Sequence, residues 1–175
     1  LIAYSIFSFL QVLFAIVIYV YNPYNLYNSP YYESSINLFM LVEFLTFNRL
    51  IWAVIYNRWL KLVTQVFAVF FILLVLHNWV FEQGFFKYVA HLYVIELFLI
   101  LITCLFYFAE RFSSAPVKNS LTSDFWIISG ILVLSATIIP IITVSQMSDF
   151  EYKQLSANAN SLIFLAYVYL YGFFT

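Results

Sequence analysis

Four side chains in this sequence carry acid–base or metal-ligating chemistry inside or beside long apolar stretches: Glu43, His77, His91 and Glu96. Glu43 stands in INLFMLVEFLTF and Glu96 in HLYVIELFLILI. An ionisable group in such surroundings is costly in lipid, and it marks a functional site by default. Each carboxyl lies about eight residues into its stretch, or ~12 Å deep at ~1.5 Å per residue, so the two are expected at one level. His91 precedes Glu96 on the same stretch, ~5 Å in. His77 closes the preceding stretch, beside Asn78. Asn37 lies upstream of Glu43 and points about 120° away from it on a helix. Thr46, one turn after Glu43, is the polar neighbour expected on its face. Asn158 and Asn160 open the last apolar stretch, and Gln146 leaves the one before it. All these groups are expected in the same half of the structure, as an outward-facing polar cluster. The opposite half offers Asn48, Arg49 and Gln65, with Gln11 near mid-depth.

Four kinds of chemistry suit this set. The carboxyls, neutralised by a proton or paired with His or Asn, hold helices together as interhelical polar contacts. They line a ligand pocket with the nearby amides. His77 and His91 flank one short loop and, with the two Glu, bind a transition metal or haem, since imidazole and carboxylate suit several such ions. Or they belong to a proton or ion path, which needs polar residues across the full thickness, and the second half lacks a continuous series. No HxxxH or ExxH spacing is present. There is no nucleotide loop and no GxSxG, and Ser148 with Asp149 has no triad spacing to His. Cys104, the single cysteine, reads as a small buried hydrophobe. No catalytic residue, resident cofactor or metal is predicted; the alternative is a haem- or metal-binding redox protein using His77 and His91.

The elements that position these groups follow from composition. Of the 175 residues, 65% are hydrophobic and 9% charged, with a mean hydropathy of +0.97. Seven Lys or Arg and eight Asp or Glu cannot clothe a water-facing surface, which needs about 25% charged residues. A net charge of −1 gives no footprint for nucleic acid. A bilayer crossing takes about 20 apolar residues, and six runs qualify: 1–21, 35–56, 60–80, 88–110, 124–146 and 157–174. They are continuous rather than alternating, so they read as helices, which satisfy their own backbone groups in lipid. The expectation is an all-α, up-and-down bundle of six transmembrane helices in one domain, 1–175. The chain opens on Leu1 rather than Met and reads as a fragment or processed form. Its first run is followed by no small-residue cleavage site and does not read as a signal peptide.

Arg58, Lys61, Arg111 and Lys118 fall on one side of this topology, with Arg49 near enough to snorkel toward it. The other side receives Lys87 and Lys153 beside Glu33, Glu82, Asp149 and Glu151. The bias of basic residues puts the first side, and both termini, in the cytoplasm. Trp52, Trp59, Trp79, Trp126 and many Tyr fall near span ends, as aromatic belts do. The segment NPYNLYNSPYYES reads as an interfacial loop with turns at Asn22-Pro23 and Ser29-Pro30. Asp124 reads as the cap of the fifth run. Pro140 is expected to kink that run, with Ser or Thr meeting the freed carbonyl.

NLFMLVEF (37–44) resembles the N-x-Y-x-L-x-E-F span opening of a poorly characterised family of bacterial multi-span inner-membrane proteins. DFWIISGIL resembles that family's FW-(I/V)-x-x-G-x-L span start, and NANSLIFLAYVYLYGF its Asn-led last span. The likeness runs from about Tyr21 to the end. Phe39 stands where the motif has Tyr, and Leu132-Val133-Leu134 where it has an aromatic. The resemblance implies a sensory or accessory inner-membrane module, with Asn37 and Glu43 as the positions to watch. These residues contain no soluble output domain, so the expectation is a non-catalytic accessory or sensory subunit acting with other membrane proteins and the lipid bilayer.

Overall fold

A computed structural model describes residues 30–82, 84, 90–113 and 122–147, and all the regular structure in them is helical. The helices are α1 (Pro30–Val54), α2 (Arg58–His77), α3 (Ala90–Ser113) and α4 (Ser123–Met147). One π-helical turn, Asn78–Glu82, continues α2. Four segments are long and apolar enough to cross a bilayer, one per helix with the second running on into the π turn: Ser34–Val54, Arg58–Phe81, His91–Ser113 and Ser123–Thr143. The chain is thus a multi-pass helical membrane protein. The described residues supply four spans where six runs were expected; the first and sixth runs lie outside them.

Local chemistry sets the helix ends. α1 is described from Pro30 onward, so this residue, read as part of a turn, is helical. After α1 the chain turns through Ile55–Asn57, and Asn57 caps α2, its Oδ1 accepting from the Trp59 N–H at 2.8 Å. Beyond the π turn, Gly84 takes φ +79, a left-handed conformation that favours glycine. Thr122 precedes α4 and its carbonyl accepts from the Phe125 N–H at 3.0 Å. Asp124, expected as the cap, lies in the first turn, where its charge suits the helix dipole.

α4 runs on through Pro140. The hydroxyls near it are spent on other carbonyls than the one at Ala136 that Pro140 cannot reach. Thr137 donates to Val133 at 2.7 Å and Thr143 to Ile139 at 2.8 Å. The expected hydroxyl rescue of the freed carbonyl is therefore not what these side chains provide.

α3 packs most extensively on α4, and α1 packs on both α2 and α3; α2 and α4 do not meet. α1 and α3 therefore form the middle of the described bundle, with α2 and α4 as flanks. The core follows helical spacing. α1 buries Met40, Phe44, Phe47, Ile51 and Ile55, and α3 buries Leu92, Leu97, Ile100, Cys104 and Tyr107. α4 buries Ile128, Ile131, Leu134, Ile138 and Ile142. α2 joins through Thr64, Phe71 and Val75, and the Phe71 ring meets Phe44 at 4.3 Å between centroids. Only 17% of the α2 span is buried, against 39–44% of the others. Its outer face of Leu62, Val66, Val69, Phe70, Leu73 and Leu76 is exposed. An apolar face of this kind is the surface that a bilayer covers.

Candidate functional site

The buried stripes that form the core also carry the two acids. Glu43 follows Met40 by three residues and precedes Phe47 by four, so it shares their inward face. Glu96 stands four residues after Leu92 and four before Ile100, on the matching stripe of α3. Both carboxyls are fully buried, at 0% exposure. They are near enough for the charge of one to act on the other, and the two helices that carry them pack together. Among the described residues neither oxygen of Glu96 has a hydrogen-bond partner. Among the described residues no ion pair to Lys, Arg or His is recorded at Glu96. An uncompensated carboxylate is expensive in this setting, and a second acid nearby adds to the cost. The chemistry this arrangement suits is uptake of one positive charge, a proton or a small cation.

The remaining members of the expected cluster divide. Asn37 is fully buried and Asn78 nearly so. Asn37 and Glu43 point different ways on α1, yet both are buried, because α1 is covered on two flanks, by α2 and by α3. Thr46 is not with Glu43 in the core: it is half-buried and lines an open groove with Val42, Leu45 and Arg49. His77 and His91 are both exposed, and the His77 ring lies 5.3 Å from Phe81. Among the described residues no three of His, Cys, Asp and Glu come close enough to hold a metal ion, so the two His and two Glu do not form the ligand set considered above. Asn158, Asn160, Ser148, Asp149 and Gln11 lie outside the described residues. Cys104 is a buried free thiol in the α3 stripe, packed as the hydrophobe it was read to be.

The opposite end of the bundle holds a second polar group that the sequence reading passed over. The Glu110 carboxylate, near the end of α3, accepts from the backbone N–H of Tyr56, at 2.9 Å, and of Asn57. It thereby ties the α1–α2 turn to α3. The signal was available: a carboxylate in the last turns of a helix opposes the helix dipole unless another element uses it. Nearby, Asn48 Nδ2 donates to the Thr64 carbonyl at 3.1 Å, a buried bond between α1 and α2. The guanidinium of Arg49 lies 4.3 Å, and the ammonium of Lys61 4.7 Å, from the centre of the Trp52 ring. Arg111 Nη2 donates to Thr122 Oγ1 at 3.5 Å. Arg49, Arg58, Lys61 and Arg111 thus stand at one end, the basic end, with Glu110 among them.

Comparison with known proteins finds no matching family model, curated protein or solved structure.

Proposed function

We propose that the chain is a non-catalytic sensory or accessory subunit of a membrane assembly, and that its responsive element is the Glu43–Glu96 pair. The observation that carries this reading is the Glu96 carboxyl: fully buried, without a hydrogen bond, and facing a second acid across the α1–α3 contact. A carboxyl kept in the core only to join helices would be expected to spend its oxygens on a donor. One left without a donor has its occupancy open to a proton or small cation. Gain or loss of that charge changes how well α1 and α3 fit, and α2 and α4 are attached to these two helices. The exposed apolar face of α2 is available to lipid and to partner helices alike.

In this reading the basic end faces the cytoplasm of a bacterial cell, with the acid pair toward the outer half of its inner membrane and both termini cytoplasmic. The likeness of NLFMLVEF to the opening span of a bacterial inner-membrane family supports the sensory or accessory assignment, since Glu43 falls on its acidic position. The haem or metal alternative draws no comparable support, because His77 and His91 are exposed and apart from any third donor among the described residues.

The test is gentle extraction of the native protein followed by mass spectrometry of what co-purifies, in wild type and in Glu96→Gln. The proposal expects a stoichiometric membrane partner whose retention differs between the two. A protein that is always alone at native abundance overturns the accessory role. A partner retained identically by both overturns the part given to the acid pair.

A further inference from the structure

Arg49 and Lys61 approach the same indole from two helices, at 4.3 and 4.7 Å from its centre. The electron-rich ring face attracts each cation, but it leaves their mutual repulsion standing. Among the described residues neither cation has a carboxylate partner. Glu110, at the same end, is committed to the Tyr56 and Asn57 N–H groups. Arg49 also lines an open groove of about 580 Å³ together with Val42, Leu45, Thr46, Leu50 and Ala53. These positions make one continuous face of α1. From Val42 to Ala53 the groove runs ~16 Å at ~1.5 Å per residue, which is about half of a ~30 Å hydrocarbon core. It is apolar apart from Thr46 and Arg49. A trough of this length, with Arg49 in its lining and Lys61 on the same indole beside it, suits a phospholipid carrying net negative charge.

We propose that this groove is a binding site for an anionic phospholipid of the leaflet at the basic end. The acyl chain lies along Val42 and Leu45, away from the basic end, and the phosphate lies between Arg49 and Lys61 over Trp52. Basic residues just inside a membrane boundary attract anionic lipid, each by an amount that corresponds to about a five-fold preference. Two of them give about thirty-fold. The site does not include the Glu43–Glu96 pair, which is buried in the core.

Trp52 is the built-in probe. Trp59, Trp79 and Trp126 are replaced by Phe, and the protein is placed in phosphatidylcholine vesicles containing a minor fraction of phosphatidylglycerol. Bromine is carried on the chains of one lipid or the other. Brominated phosphatidylglycerol is expected to quench Trp52 well beyond the same fraction of brominated phosphatidylcholine. Combined Arg49→Gln and Lys61→Gln should lower that preference about thirty-fold, each single change about five-fold, and Arg49→Lys should keep it. Native mass spectrometry of the unaltered protein, taken from the same lipid mixture, should show retained phosphatidylglycerol. This second readout does not depend on the Trp replacements folding. Equal quenching by the two lipids, a preference untouched in the double variant, or displacement of the lipid by inorganic phosphate would each overturn the proposal. So would an absence of quenching because another segment or a second copy of the chain fills the groove.

Discussion

Replacing Glu96 by Leu should stabilise the protein. A buried polar group left without its hydrogen bonds costs about 1–3 kcal/mol, and Glu96 has two such oxygens at 0% exposure. Beside it stands Glu43, near enough that charge on one acid disfavours charge on the other. Leucine removes both costs and fills a similar volume between Leu92 and Ile100, which are already core residues. Apolar replacement of buried charged groups is often neutral or stabilising by about 1–4 kcal/mol. We expect a gain of about 1–3 kcal/mol, read as a rise in melting temperature of several degrees at ~2–4 °C per kcal/mol. The assay is thermal unfolding in detergent or bicelles, with Leu97→Ala, the adjacent fully buried position, as the control that should lose about 2–5 kcal/mol. If Glu96→Leu loses as much as Leu97→Ala, Glu96 holds a structural bond and the reasoning fails. A double-mutant cycle sharpens the point: Glu96→Gln should help when Glu43 is present and do little once Glu43→Gln has been made.

Three further outcomes follow from other contacts. Glu110→Ala removes the acceptor for the Tyr56 and Asn57 N–H groups and should cost about 1–3 kcal/mol in the same melts, with faster amide exchange at the α1–α2 turn. Asn48→Leu loses the bond to the Thr64 carbonyl but also removes an Oδ1 that has no partner among the described residues, so stability should change by no more than about 1 kcal/mol. Phe71→Ala empties the contact with Phe44 and should cost about 3–5 kcal/mol. Disulfide trapping between α1 and α2 should then show the flank helix loosened.

Much of this architecture could be read from the chain. The runs at 35–56, 60–80, 88–110 and 124–146 overlap the four observed spans closely, because continuous apolar length is a strong signal for lipid. What the sequence hid was rotational. Asn37 and Glu43 point apart on α1, and only the placement of α2 and α3 on two of its flanks buries both. Thr46 sits a mere turn from Glu43 but beside the groove, since helix spacing gives neighbours and not which neighbour faces the core. The π turn at Asn78–Glu82 is written in residues that suit an ordinary helix equally well, so no pattern announced it. Pro30 belongs both to turns and to first helical turns, and the sequence alone did not choose between them. The link between Glu110 and the α1–α2 turn joins residues far apart in the chain, and only the meeting of the helix ends reveals it.

The most direct test of the central claim is infrared titration of the reconstituted protein, comparing wild type with Glu96→Gln and Glu43→Gln. Reversible proton or cation uptake at the pair predicts a carboxyl band that changes with pH or with added cation and is lost or displaced in both variants. A wild-type carboxyl spectrum that never changes, or one that both variants reproduce, would contradict a responsive Glu43–Glu96 pair.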